Sequence, residues 1–262
     1  MTEPINKHTN SSLALVREPG ISFTAALSSH ADKNQIDHAR AFRQHRGYVR
    51  ALEEAGMEIL SLPPLDDFPD STFVEDTAVI LKERALICRL KENSRQGETD
   101  FISEEIGKHR PLKFMEPPAT LDGGDVLDTG KILFAGLSGR TNPDGIDALR
   151  ELSLKPVVPV RVLKGLHLKS AVSYLGNDLV VLNPLRIDPE PFQHFKKSEV
   201  SENESYAANC LRVGETVIMA AGFPAVEGKI KAEGFKVLTV EMTEFEKADG
   251  GVTCLSLIFP GE

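Results

Sequence analysis

GGDVLDTGKILFAGLS, residues 123–138, is a polar start, an apolar run, a turn at Thr129, Gly130 and Lys131, and a second apolar run. Such a pattern is a hairpin of buried strands. It recurs as VEDTAVILKERALICRL (74–90), as KSAVSYLGNDLVVLN (169–183) with its turn at Gly176, Asn177 and Asp178, and as ANCLRVGETVIMAAG (208–222) with its turn at Gly214 and Glu215. A fifth copy is split. GVTCLSLIF (251–259) lies near the end and LALVREPG (13–20) near the start, and the two pair only if the chain closes into a ring.

Helical patterns fill the gaps. In residues 32–56 the stripe Ile36, Ala39, Phe42, Val49, Leu52 stops at Gly56, which leaves His38 and His45 on a solvated face. Residues 99–109 form a shorter pattern. Asn142 as cap and Pro143 at the first position open a helix over 142–152, and Asp188 with Pro189 repeats the device in DPEPFQHFKK (188–197). PAVEGKIKAEG (224–234) ends at Gly234, and Thr243 to Glu246 has capping-box spacing. The units recur about every 40 to 50 residues, as propeller and array repeats do. Five ββαβ units around one axis make a single closed α/β domain over residues 1–262, with no linker to split it.

The bulk numbers exclude several classes. A net charge of −9 without a Lys/Arg block argues against nucleic acid. With 41% apolar and 26% charged residues the chain can bury a core, yet no apolar run is long enough to span a bilayer. The start, MTEPINKHTNSS, lacks a signal-peptide core and reads as a few loose residues before the first strand. Three cysteines without framework spacing suit free thiols in a reducing cytoplasm. Cys88 and Cys210 read as core residues. There is no phosphate loop and no dinucleotide fingerprint, and no ligand set for a structural zinc, so neither a cofactor nor a metal is expected.

Polar residues stand before the first strand of each hairpin: Glu75 and Asp76, Asp122 to Asp125, His167, Asn209, and Asp249 to Cys254. In a ring of like units these positions converge on the axis. In chain order FPDSTFVEDTAV, LDGGDV, GLSGRTN, GLHLKS, AANC and KADGGVTC resemble the dimethylarginine dimethylaminohydrolases, members of the guanidino-group-modifying superfamily, over nearly the whole chain. The resemblance implies a five-bladed α/β propeller with pseudo-fivefold symmetry. It also implies hydrolysis of asymmetric dimethylarginine and monomethylarginine to citrulline and di- or monomethylamine, through a covalent S-alkylthiouronium intermediate.

On that resemblance Cys254 is the nucleophile, His167 the general acid and base, and Asp122 the carboxylate that orients His167; Asp125 is a second acid able to orient it. A thiolate suits a guanidinium carbon, a poor electrophile, but needs a nearby positive charge, from the substrate or from His167. An imidazole can serve both proton transfers near neutral pH. Asp76 and Glu75 match the carboxylates facing the guanidinium, and Asp70 is a further substrate contact. Arg95 and Arg140 match the arginines for the amino-acid carboxylate. Leu27 belongs to a closing loop, and Ala248 and Asp249 line the pocket near the substrate's amino group. The remaining partners expected are none beyond this small molecule, with the chain a monomer or homodimer. Rival readings are an arginine deiminase or other guanidino hydrolase, and a non-catalytic methylarginine-binding protein. Deiminases carry an aspartate two residues after the histidine, where this chain has Lys169.

Overall fold

The computed structural model describes residues 12–261, so the loose N-terminus expected from the sequence lies outside the described residues. Strand β1 (Ser12–Arg17), helix α1 (His38–Glu54) and β2 (Glu58–Leu62) open the chain. The second unit is β3 (Ala78–Ile80), β4 (Ala85–Ile87), α2 (Glu98–Ile106) and β5 (Leu112–Phe114). The third is β6 (Val126–Asp128), β7 (Leu133–Leu137), α3 (Pro143–Leu152) and β8 (Val157–Arg161). The fourth is β9 (Val172–Gly176), β10 (Leu179–Leu182) and β11 (Lys196–Glu199). The fifth is β12 (Cys210–Val213), β13 (Thr216–Ala220), α4 (Pro224–Ala232) and β14 (Lys236–Val240), followed by α5 (Thr243–Glu246) and β15 (Ser256–Pro260).

Each unit is a three-stranded sheet, an antiparallel hairpin extended by one parallel strand. The split copy closes as expected: β15 pairs antiparallel with β1, Leu15 opposite Leu257, and β1 pairs parallel with β2. The result is a five-bladed α/β propeller.

Apolar residues pack between neighbouring blades, and strand alternation explains how. Leu133 and Ala135 of β7 face the second blade, while Phe134 faces the fourth. Val180 and Leu182 of β10 face the third blade, and Val181 the fifth. Strands covered on both faces read as unbroken apolar runs, which is why 133–137 and 179–182 show no polar alternation. The hairpin turn of the fourth blade runs through Asn177 and Asp178, at φ +50° and +55°, the left-handed pair a tight two-residue turn requires.

Three expectations are corrected. DPEPFQHFKK makes only a single 3-10 turn, Glu190–Phe192. Phe192 and Phe195 pack there against Phe134 and Tyr174. Thr243 does not cap α5; Met242 holds that position, and the Thr243 hydroxyl accepts a hydrogen bond from the Gln44 amide at 2.8 Å. His45 is not solvated. It is 1% exposed, and neither ring nitrogen has a partner.

Candidate active site

Each blade's first strand is introduced by a short 3-10 helix: Val74–Thr77 before β3, Gly123–Asp125 before β6, Leu168–Ser170 before β9, Glu202–Ala208 before β12, and Thr253–Leu255 before β15. Contacts run from the last of these to the first and on around the second, third and fourth. The convergence expected from the repeat is therefore made by five turns at one end of the propeller axis, and these carry the polar residues.

His167 is 3% exposed. Its Nε2 lies 3.1 Å from Asp122 Oδ2, and its Nδ1 lies 3.8 Å from Asp76 Oδ1. Burial opposes the charged imidazolium, but Asp76, the Asp122 hydrogen bond and Asp125 outweigh it and push the group up to about 9. Asp76 accepts the Gly124 amide at 3.1 Å and Arg95 Nη1 at 2.8 Å. Burial would raise its carboxyl; the positive His167, Arg95 and Arg140 prevail and hold it below the usual range. Glycine is required at 124, where a Cβ would sit 2.7 Å from His167 Nδ1 and 2.8 Å from Asp76 Oδ1.

Asp125 does not contact the imidazole ring. Its carboxylate accepts Ser138 Oγ at 2.6 Å, Thr141 Oγ1 at 2.7 Å and the Leu168 amide at 2.8 Å, so it ties the His167 turn to the loop after β7. Glu75 has both oxygens taken, by Lys169 Nζ at 2.7 Å and by Thr253 Oγ1 at 2.7 Å. Burial raises its carboxyl above the usual range. Cys254 is half-buried, with the Gly251 amide 3.3 Å from Sγ. Burial, then Glu75 and Asp76, pushes the thiol far up.

The remaining predicted residues divide into two groups. Asp70 accepts the Leu27 amide at 3.1 Å, and Asp249 accepts the Ser29 amide at 2.6 Å and its hydroxyl at 2.9 Å. Both acids thus hold the loop that carries Leu27, and Ala248 beside Asp249 is buried. Arg95 is buried and forked onto Glu98 at 3.0 and 2.9 Å, with Nη1 on Asp76. Arg140 lies 3.5 Å from Asp122 and 3.6 Å from Glu92, and its Nη1 has no hydrogen-bond partner.

Asn209 bridges two turns: its amide donates to the Lys169 carbonyl and to Thr253 Oγ1, both at 2.9 Å, and accepts the Thr253 amide at 3.1 Å. Its position in the repeat was the only sequence sign of that role. Asp76, Asp122 and His167 present ligand atoms within 4.8 Å of one another, the metal-capable cluster found among the described residues. Asp76 and His167 already bond within the protein, Asp76 to Gly124 and Arg95 and His167 to Asp122, and each Asp76 oxygen keeps a second lone pair for a further donor.

The family model "N,N dimethylarginine dimethylhydrolase, eukaryotic" matches residues 22–258. The N(G),N(G)-dimethylarginine dimethylaminohydrolase of Pseudomonas aeruginosa is 42% identical over 253 residues, 94% of this chain and 98% of that one. A cysteine-to-serine mutant of the P. aeruginosa protein complexed with citrulline superposes with a TM-score of 0.90 at 37% identity, covering 94% of this chain and 98% of that one. A dimethylarginine dimethylaminohydrolase adduct with S-methyl-L-thiocitrulline gives 0.91 at 37% identity, covering 94% and 99%. With the same five blades and this match along most of its length, the chain belongs to the dimethylarginine dimethylaminohydrolase family.

Proposed function

We propose that this chain hydrolyses Nω-methylated arginines to citrulline and di- or monomethylamine, with Cys254 as nucleophile. The observation that carries the reading is the buried His167 flanked by Asp122 and Asp76, with the Asp76 turn packed against the one that bears a partly accessible cysteine. Relatives caught with citrulline and with a thiocitrulline adduct support it.

The electrostatics supply an order of events. Cys254 is a thiol at rest, because burial and two acids oppose its ionisation. A guanidinium held by Asp76 brings the positive charge that favours the thiolate, and the thiol proton passes to water. The thiolate sulfur adds to the guanidinium carbon. His167, a cation near neutral pH, gives its proton to the methylated nitrogen as the carbon–nitrogen bond breaks, leaving methylamine or dimethylamine and an S-alkylthiouronium. Neutral His167 then takes a proton from water, whose oxygen attacks the same carbon. The carbon–sulfur bond breaks, the hydroxyl proton of the adduct passes to the departing sulfur, and citrulline leaves with the thiol restored. Asp122 keeps the ring oriented. Arg140 offers a free donor for the substrate carboxylate, and Asp70, Asp249, Leu27 and Ala248 close the amino-acid end. Arg95 serves this site by bracing Asp76.

All these residues come from one chain, so the five blades act as one catalytic domain, and a monomer or a homodimer both serve. Free thiols at Cys88, Cys210 and Cys254 suit the cytoplasm, and no described helix is long and apolar enough to cross a membrane. Citrulline release from asymmetric dimethylarginine, monomethylarginine and arginine, measured side by side with the purified chain, tests the reading. Failure to form citrulline from either methylated substrate would remove it.

A further inference from the structure

Helix α1 carries Arg40, Arg43, Arg46 and Arg50 in a chain whose net charge is −9. Three of them, Arg40, Arg43 and Arg50, line a groove of about 430 Å³ with Gln44 and Gly47. The opposite wall is the end of β14 with Glu241. This volume lies in the range of small-molecule sites, and none of these residues belongs to the catalytic ring.

Arg40 faces Glu241 at 3.7 Å and Glu244 at 3.6 Å. Arg43 and Arg50 form no hydrogen bond or salt bridge among the described residues. Like charges spaced along one helix face repel, and an anion seated in the groove would offset that cost.

Gly47 is an independent sign. It lies between Arg43 and Arg50 in the middle of α1, where glycine is a poorer helix former than alanine. No packing requires it: a Cβ there would meet nothing within 4 Å, and its φ is not in the left-handed region. Its effect is to keep the groove floor open between two guanidinium groups. Across the floor, β14 is an edge strand of its sheet, and edge strands turn alternate amides outward as donors.

We propose that this groove binds a small, multiply charged oxyanion of the phosphate class, gripped by Arg43 and Arg50 over Gly47. Guanidinium forks match phosphate oxygens in pairs.

Calorimetric titration of the purified chain with inorganic pyrophosphate is the test, with inorganic phosphate and AMP as parallel arms to separate a free anion from a phosphorylated metabolite. Saturable binding is expected. Arg43→Gln and Arg50→Gln should each weaken it about tenfold or more, the loss of one charge-assisted contact. Arg46→Gln removes the same charge from the same helix outside the groove and should leave the affinity nearly unchanged. Gly47→Leu should block binding with no loss of thermal stability and with citrulline production unchanged. No saturable binding in any arm, or equal weakening by Arg46→Gln and Arg43→Gln, would overturn the proposal, the latter by showing diffuse charge attraction alone.

Discussion

Burial, then Glu75 and Asp76, keeps the Cys254 thiol protonated, whereas at His167 Asp76 and its neighbouring acids overcome burial and keep the imidazole charged. Cys254→Ser is therefore expected to lose essentially all citrulline formation while its thermal midpoint stays close to wild type, because the hydroxyl fits but is a weak nucleophile. The imidazole offers a finer test. Asp122 raises its affinity for protons through a hydrogen bond and through charge, so Asp122→Asn should move the His167 titration from about 9 to lower pH. Proton NMR of the ring C–H signals would follow this directly, and an unmoved midpoint would refute the pairing. Cys254 and His167 titrate together, so rate profiles will report the pair. The residue types at this site were legible in the sequence, because short motifs carry them. Their bonds were not. Asp125 sits in the same LDGGDV motif as Asp122, but only the fold shows that its oxygens are taken by Ser138, Thr141 and Leu168.

Between residues and the whole lie the turns and helices. Asn209 couples the turn that follows His167 to the turn that bears Cys254. Asn209→Ala should let these drift apart, lowering kcat roughly 10- to 100-fold with little change in KM, since Asn209 bonds only to the protein; steady-state kinetics on a methylarginine will show the split. In α1, His45 has a consequence for acid stability. Burial lowers its ring to about 4, against about 6.5 in an unfolded chain. Below pH 6.5 the unfolded chain gains a proton that the folded one refuses until about 4, so stability falls across that window as pH drops. The loss reaches on the order of 3 kcal/mol. Urea midpoints at neutral and acid pH should fall less for His45→Phe than for wild type. Apolar spacing located this helix from sequence but on the wrong face: Ala39 is exposed and Phe42 and Val49 are half-buried, while Ala41, Gln44, His45, Tyr48, Ala51 and Leu52 are buried, and the basic residues around His45 disguised it as surface. Hairpins were easier to read, since apolar runs and Gly/Asn/Asp turns are local signals. The five 3-10 turns were invisible, being too short to show any period.

At the scale of the whole molecule, the ring decides substrate choice. The turn before β9 supplies Lys169, whose ammonium pairs with Glu75 while Thr253 holds the other oxygen, so an entering guanidinium meets Asp76 without a second free acid at its other edge. Arginine, with its full set of N–H donors, would leave donors there unpaired, at about 1–3 kcal/mol each. The specificity constant for asymmetric dimethylarginine should exceed that for arginine by about tenfold or more; equal or greater values for arginine would point to a deiminase. The seam between β1 and β15 adds a kinetic consequence. It joins positions near opposite ends of the described chain, and closing a loop of about 240 residues costs ~5 kcal/mol of chain entropy. Long-range pairings of this kind form slowly. Cys254 stands at the head of β15, so the proposed nucleophile is placed only when the last blade zips to the first. After dilution from denaturant, far-UV dichroism should recover before hydrolysis does, and the return of turnover will time the closing of the ring.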